Sequence, residues 1–176
     1  MKRTVGETIS HIKLPDIDGS TFNTESLNGK LFMLSFFRFA SCPFCNLRVH
    51  QLVQQRDEFG DDFNMVVIFD SPLENLVRHT EKHKAPFPIL ADGGNKYYRE
   101  YGIEHSVTGM LKGMFFRMPT LFKSMFMGNV PLIFKGSLLT MPADFLIDQE
   151  GIIRTAYYGK DEGDHLSLEQ VKSFFK

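Results

Sequence analysis

Two mainly apolar runs stand out in the first half of the chain, "KLFMLSFF" at residues 30–37 and "FNMVVIFD" at residues 63–70. Runs of this length are typical of strands that are buried on both faces of a sheet. Between them, apolar residues recur at roughly helical spacing from Cys42 to about Phe59. The pattern therefore predicts two buried strands with a helix between them.

Turn-forming residues predict a hairpin near each end of the chain. The turn "PDIDG", residues 15–19, separates the strand candidates "ISHIKL" and "STF". The turn "QEG", residues 149–151, separates "ADFLID" from "IIRTAYYG". Asp and Gly supply the backbone conformations that tight reversals need.

Capping residues predict where the remaining helices begin. Ser71 and Glu74 have the spacing of a capping box, and Pro72 takes the first helical position, so we expect a helix over residues 71–83. The other expected elements are a strand at residues 86–90, a short helix ended by Gly102 and a terminal helix capped by Ser167. This order predicts an α/β fold with a central mixed sheet flanked by helices.

Length, composition and charge narrow the class of protein. The chain has 176 residues, 43% of them hydrophobic, which suits one hydrophobic core, so we expect a single domain over residues 1–176. A net charge of -1 with mixed signs argues against a nucleic-acid partner. The N-terminus has two early positive charges but no apolar stretch of signal-peptide length, so we expect a cytoplasmic location.

The chain's two cysteines, Cys42 and Cys45, fall where the first apolar run gives way to the helical pattern. Pro43 suits the first helical position, which makes Cys42 the N-cap. A sulfur at that position faces free N–H groups and the positive end of the helix dipole, and both favour its thiolate. We therefore expect Cys42 to be the nucleophile and Cys45, one turn later, to close a disulfide with it.

Other interpretations of these residues stay open. Arg38 supplies positive charge near the thiolate, or it is a solvated charge at a strand end. A cysteine is also often a small buried hydrophobic residue, and a zinc site needs two further ligands. His79 and His83 share a helix face, but they are more simply explained as solvated helix residues, so we expect no metal and no cofactor.

The segments "SFFRFASCPFCNLRVHQL", "YGI" and "MPADFLIDQEGIIRTAYYGKDEGDH" resemble the peroxiredoxin-like branch of the thioredoxin superfamily, grouped with alkyl hydroperoxide reductase and thiol-specific antioxidant proteins. The resemblance covers most of the chain except roughly residues 106–140. It implies a thioredoxin-like fold. It also places Pro142 where that superfamily has a cis-proline facing the active dithiol.

The sequence departs from the peroxiredoxin motif of proline, three residues, threonine or serine, two residues, cysteine. Aligned on Cys45, the threonine position is Cys42 and the proline position is Arg38. The arginine of the family falls at Pro142. The sequence alone thus identifies no group that stabilises charge on the leaving oxygen of a peroxide.

The resemblance implies a thiol-disulfide oxidoreductase or a peroxiredoxin-like peroxidase. Under this hypothesis Cys42 attacks a disulfide or hydroperoxide, and Cys45 then attacks the resulting mixed disulfide or sulfenic acid of Cys42 to form the internal disulfide. A thioredoxin-type or glutaredoxin-type partner reduces that disulfide. The alternative from another class is a redox-responsive interaction protein, in which the dithiol is a switch and the basic, apolar insertion at residues 106–140 binds a partner.

The unmatched stretch, residues 106–140, is an apolar helical insertion that is rich in Met and Phe. It carries Lys112, Arg117, Lys123 and Lys135 and no acidic residue. Prolines and glycines interrupt it, so no run is long enough to span a membrane. We expect local core over the sheet, a homodimer interface or a peripheral membrane contact, and a position near the dithiol.

Overall fold

The computed structural model describes residues 1–80, 83–128 and 136–176. The strands in these ranges are Lys13–Pro15 (β1), Thr21–Asn23 (β2), Phe32–Phe37 (β3), Met65–Phe69 (β4), Ile89–Ala91 (β5), Ala143–Ile147 (β6) and Ile153–Tyr158 (β7). The α-helices are Pro43–Gln54 (α1), Leu73–Thr80 (α2), Lys96–Glu100 (α3), Val107–Phe116 (α4), Met118–Phe126 (α5) and Leu168–Phe175 (α6).

The strand β3 lies at the centre of a five-stranded sheet with the order β5-β4-β3-β6-β7. It pairs in parallel with β4 and antiparallel with β6, so the sheet is mixed, as predicted. Each of its six residues is buried, which explains its continuous apolar pattern. Both predicted hairpins are confirmed, β1 with β2 and β6 with β7.

The two faces of the sheet pack against two separate apolar clusters. On one face Met33 and Phe37 of β3 join a cluster that contains Cys42 and Cys45 of the dithiol segment. On the other face Phe32, Leu34 and Phe36 join a cluster with the three buried tyrosines around α3, Tyr97, Tyr98 and Tyr101. This alternation follows from the two-residue period of a strand.

The helix predicted after residue 71 forms with a different start. The helix α2 begins at Leu73. The Ser71 hydroxyl accepts a hydrogen bond from the side-chain amide of Asn75 at 3.0 Å, a partner that the capping-box spacing did not indicate. Glu81 and Lys82, at the end of the predicted helix, lie outside the described residues.

The described part of the insertion contains the helices α4 and α5 and the short segment 136–140. Residues 129–135, with Lys135, lie outside the described residues. The α5 helix packs on α1, where the Ser124 hydroxyl donates to the Pro43 carbonyl at 2.6 Å. Gly109, Gly113 and Ser124 are buried, as a local core requires. Large apolar side chains nevertheless remain exposed, among them Phe115 at 78%, Phe116 at 78% and Phe126 at 90%.

Within the described residues, every helix is too short or too polar to cross a membrane.

The terminal helix α6 begins with a complete capping box. The Ser167 hydroxyl accepts from the Gln170 backbone N–H, and the Gln170 side chain accepts from the Ser167 N–H. We expect Ser167→Ala to lower the free energy of unfolding in urea by about 1 kcal/mol, because it removes the hydroxyl that accepts the Gln170 N–H at the start of the helix. Ser173→Ala, in the same helix, is the matched control and should change that free energy by less than about 0.5 kcal/mol. Equal losses in both variants would contradict the capping role.

Candidate active site

Cys42 occupies the N-cap of α1 with Pro43 at the first helical position, which confirms the predicted helix start. Its backbone is extended, with φ -62° and ψ 120°, and its carbonyl accepts the N–H of Asn46 at 3.0 Å. The side chain is fully buried. The thiol therefore lies at the opening of a helix and is shielded from water.

Cys45 lies one turn into α1 and is equally buried. Both thiols are free. The Cys45 sulfur accepts the backbone N–H of Arg38 at 3.4 Å. Its own S–H donates to the Cys42 sulfur, so the two side chains are already in contact.

Arg38 follows directly on β3 and is only 4% exposed. Its Nη1 lies 3.7 Å from the Cys42 sulfur, and its Nη2 donates to the carbonyl of Leu138 at the end of the insertion. The guanidinium also lies over the ring of Phe39, 5.3 Å from the centroid. Of the two interpretations of Arg38, the structure favours a buried cation beside the thiolate over a solvated charge.

These contacts set the pKa values of the two thiols apart. Burial raises the pKa of Cys42. The hydrogen bond from Cys45, the charge of Arg38 and the N–H groups of Cys45 and Phe44 outweigh burial and lower the pKa to about 6. Burial, with the hydrogen bond and charge of Cys42, raises the pKa of Cys45 well above its ordinary value. These shifts favour the thiolate at Cys42 and the protonated thiol at Cys45.

The backbone around Arg38 is held by residues from two other elements. The Asp70 N–H, directly after β4, donates to the Arg38 carbonyl at 3.1 Å. The Asp70 carboxylate accepts the backbone N–H of Ser137 and the hydroxyl of Thr140, at 3.0 and 2.9 Å. Hydrogen bonds therefore hold the end of the insertion against the strand ends next to the dithiol. The position of the insertion before Pro142 predicted this proximity.

Glu162 is a member of the site that the sequence reasoning missed. It lies in the loop between β7 and α6, is 2% exposed, and places Oε1 3.9 Å from Arg38 Nη1. Burial raises its pKa, and the charges of Cys42 and Asp161 add to that effect. Its burial comes from contacts far away in sequence, so no local pattern signalled it.

Asp144 belongs to a second buried polar group on the same face of the sheet. Its carboxylate accepts the Ser35 hydroxyl at 2.8 Å and the Leu166 N–H at 2.8 Å, and His165 Nδ1 lies 3.1 Å away. Burial raises its pKa, but His165 and the charge of Arg48 outweigh burial, so the pKa is lowered. The structure thus pairs the Asp144 carboxylate with the His165 ring.

Pro142 lies directly before β6, at the end of the sheet where β3 leads into Arg38. Its neighbour Ala143 pairs with Phe36. The described residues contain no cis peptide bond, so the predicted cis conformation was wrong. The Met141 N–H, just before Pro142, bonds to the Glu104 carbonyl, and the trans isomer is the one that X–Pro bonds ordinarily prefer. The role of Pro142 in facing the dithiol stays a prediction.

In the part of the chain that the structure describes, no three His, Cys, Asp or Glu side chains cluster closely enough to hold a metal ion. His83 Nε2 lies 2.7 Å from the Asn46 side-chain oxygen on α1.

Comparisons with known proteins place the chain in a family. Residues 5–156 match the model of the AhpC/TSA family. A chloroplastic peroxiredoxin Q of Sedum lineare is 27% identical over 113 residues, which cover 64% of this chain and 61% of that protein. A second, from Populus jackii, is 26% identical over 110 residues, 61% of this chain and 51% of that protein. The chain therefore spans less than two thirds of the length of these curated relatives.

A solved structure supports the same fold. The peroxidoxin BcpB of Mycobacterium tuberculosis superposes with a TM-score of 0.70 at 15% identity, covering 97% of this chain and 95% of that one. This likeness confirms the thioredoxin-like fold that the sequence predicted.

The charge of Arg38 should control the ionisation of Cys42. We expect Arg38→Gln to raise the pKa of Cys42, because the thiolate loses a cation 3.7 Å away. A rise of two units from about 6 would lower the rate of alkylation by iodoacetamide at pH 7 by about tenfold. Arg56→Gln, at a more exposed arginine, is the matched control and should leave the titration curve unchanged. An unshifted curve in Arg38→Gln would contradict the assignment.

The charge of Asp144 should support the fold. We expect Asp144→Asn to lower the free energy of unfolding by about 3 kcal/mol or more, because His165 and Arg48 lose their buried anionic partner. The pKa of Asp144 is lowered, so its contribution is complete above about pH 4 and is lost as the pH falls below that value. Urea denaturation between pH 3 and 7 measures both effects. Asp57→Asn, at an exposed carboxylate, is the control, and a similar profile in both variants would refute the expectation.

Proposed function

This chain belongs to the AhpC/TSA family, and we propose that it is a thiol-dependent peroxidase in which Cys42 attacks a hydroperoxide. One observation carries the proposal. The Cys42 sulfur is at a helix N-terminus, 3.7 Å from a buried guanidinium and in hydrogen-bond contact with a second thiol. This arrangement supplies a nucleophile, a counter-charge and a resolving group at one place.

The first step uses the Cys42 thiolate. Its sulfur attacks the outer oxygen of the hydroperoxide, a sulfur–oxygen bond forms, and the oxygen–oxygen bond breaks. Cys42 is oxidised by two electrons to the sulfenic acid, and the peroxide is reduced to an alcohol after its leaving oxygen takes up a proton.

The second step uses the Cys45 thiol. Its sulfur attacks the sulfenic sulfur of Cys42, the disulfide forms, and the hydroxyl leaves as water with the proton of the thiol. Because the two side chains are already in contact and one turn apart on α1, this step needs little movement of the backbone. An external dithiol of the thioredoxin or glutaredoxin type then returns both thiols to the reduced form.

Arg38 supports peroxide chemistry from an unexpected position. The arginine position of the family motif is Pro142 here. In this chain the guanidinium of Arg38, at the end of β3, contacts the Cys42 sulfur instead. We infer that it stabilises the thiolate first and the developing charge on the leaving oxygen next.

Reduction of protein disulfides is a second candidate. The Cys-Pro-Phe-Cys spacing at the start of α1 favours it, because a dithiol in one helical turn both attacks a disulfide and resolves the mixed disulfide that results. The same residues take the same roles, with a sulfur as leaving group in place of an oxygen.

Access to the site requires a local opening, since both sulfurs are fully buried. The segment that holds Leu138 contacts Arg38 directly and belongs to the insertion. We infer that the insertion helps to decide which substrates reach the sulfur.

Several predictions of the sequence analysis stay predictions. They are a single domain over residues 1–176, a cytoplasmic location, a homodimer through residues 106–140 and a peripheral membrane contact. The first is supported by pairing between distant segments, such as the bridge from Thr8 to Ile152. The exposed Phe115, Phe116 and Phe126 are compatible with either surface role of the insertion.

A coupled assay with NADPH, thioredoxin reductase and thioredoxin tests the proposal. With hydrogen peroxide the wild-type protein should oxidise many equivalents of NADPH. Cys42→Ser should abolish turnover, because no nucleophile remains. Cys45→Ser should slow steady-state turnover strongly but keep a single fast turnover, because Cys42 still attacks and its sulfenic acid is not resolved internally.

The same assay separates an enzyme from a switch. A redox-responsive interaction protein would be oxidised once and stop, and that result would refute the peroxidase proposal. Replacing peroxide with insulin disulfides tests the second candidate. Loss of the first turnover in Cys45→Ser, with retention in Cys42→Ser, would reverse the assigned roles of the two cysteines.

A further inference from the structure

The carboxyl group of Glu162 is buried beside Arg38, the residue that contacts the reacting sulfur, and has unused hydrogen-bonding capacity. Its Oε1 is 3.9 Å from Arg38 Nη1, the same nitrogen that lies 3.7 Å from the Cys42 sulfur. Among the described residues, its Oε2 is buried and has no hydrogen-bond partner. A buried polar atom without a partner is costly, so its retention beside a reactive thiol points to a function.

Gly113 in α4 makes room for this carboxyl group. A Cβ atom at position 113 would overlap Glu162 Oε2, and only a glycine leaves that space free. The α4 helix of the insertion therefore packs directly over the acid and separates it from solvent. Two independent parts of the chain, the loop after β7 and the insertion, are built around one carboxyl group.

The reaction needs a proton that the other groups of the site are poorly suited to give. An alkoxide or hydroxide ion is a strongly basic leaving group, and its departure is fast only when it is protonated as it leaves. A guanidinium does not give up its proton. The Cys45 thiol has a raised pKa and is needed as the nucleophile of the next step.

We propose that Glu162 is the general acid of this site and protonates the leaving oxygen as the Cys42 thiolate breaks the peroxide bond. This inference rests on the proposed function. The proton passes from the Glu162 carboxyl group to the leaving oxygen, and the carboxylate that remains is balanced by Arg38. The proton that Cys42 releases when it ionises again after reduction returns through solvent to Glu162 before the next turnover.

The charged surroundings of Glu162 fit this role. Arg38 favours its carboxylate, whereas Cys42 and Asp161 disfavour it. Asp161 is itself paired with Arg117, whose Nε lies 2.6 Å from Asp161 Oδ1. Burial and the neighbouring anions hold the pKa of Glu162 above its ordinary value, which keeps more of the acid protonated beside an ionised thiol.

Glu162→Gln tests the assignment, because it keeps the shape of the side chain and removes the acid. Stopped-flow measurements at pH 7 compare three reagents with reduced protein: hydrogen peroxide, the aromatic disulfide 5,5'-dithiobis(2-nitrobenzoic acid) and iodoacetamide. The last two release a stable thiolate or iodide, which leaves without a proton. We expect the rate with peroxide to fall by about 100-fold, while the rates with the other two reagents change by less than about threefold.

The pH dependence gives a second readout. With peroxide, the wild-type rate should fall again on the alkaline side as the acid loses its proton, and this fall should be absent in Glu162→Gln. Glu150→Gln, at an exposed carboxylate, is the matched control and should behave as the wild type in both respects.

Gly113→Ala, in the insertion, tests the role of the Glu162 carboxyl group by a second route. The added methyl group should displace the carboxyl group, so we expect the same selective loss with peroxide although Glu162 is still present. Lys112→Ala, at the exposed neighbouring position of α4, is its control.

The outcomes separate this inference from the proposed function. A wild-type protein that reacts with iodoacetamide but not with peroxide would overturn the proposed function and the acid with it. A Glu162→Gln protein that reduces peroxide at the wild-type rate would overturn the acid alone. Equal losses with all three reagents would assign Glu162 a structural role and would also overturn the inference.

Discussion

The contact on which the site depends is the one between the Arg38 guanidinium and the Cys42 sulfur. A cation that is 4% exposed costs several kcal/mol to bury unless nearby anions and acceptors compensate it. The partners that it finds are the thiolate, the Glu162 carboxyl group and the Leu138 carbonyl. Two ionisable groups thus share one cation, and a change in the protonation of either alters the other. The acidity of the thiol is a property of this set of groups and not of the helix N-terminus alone.

The topology of the sheet brings these partners together. Because β3 and β4 are parallel neighbours, their carboxyl ends meet at one edge of the sheet, and this edge carries both Arg38 and Asp70. The antiparallel β6 begins at the same edge, so the insertion that precedes it ends there as well. Residues more than 100 positions apart in the sequence therefore contribute to a single buried volume. The central position of β3 gives the dithiol a rigid support on both sides.

Local patterns predicted much of this structure. The buried strands, the hairpins and the start of α1 at Pro43 follow from periodicity and capping within a few residues, and the position of Cys42 at the helix N-terminus follows from them. The sequence could not identify Glu162, because a charged residue in a loop is ordinarily solvated and its burial depends on a helix some 50 residues earlier. The pairing of Asp144 with His165 likewise depends on the contact between β6 and a distant loop. The prediction of a cis bond at Pro142 was wrong because it came from the superfamily resemblance and not from a local pattern in this sequence.

The glycine at position 113 has an evolutionary consequence. It and Glu162 occupy one volume between them, so natural variation at the two positions should not be independent. A lineage that retains the glutamate can enlarge residue 113 only by displacing its carboxyl group, whereas a lineage with a smaller residue at 162 can enlarge residue 113 without that loss. A homologue with alanine or serine at 113 and glutamate at 162 would have to displace the carboxyl group, which is the flexible end of the side chain, from its place under α4. Joint inheritance of this pair would therefore mark descendants that kept the same chemistry, even where the flanking residues have diverged beyond recognition.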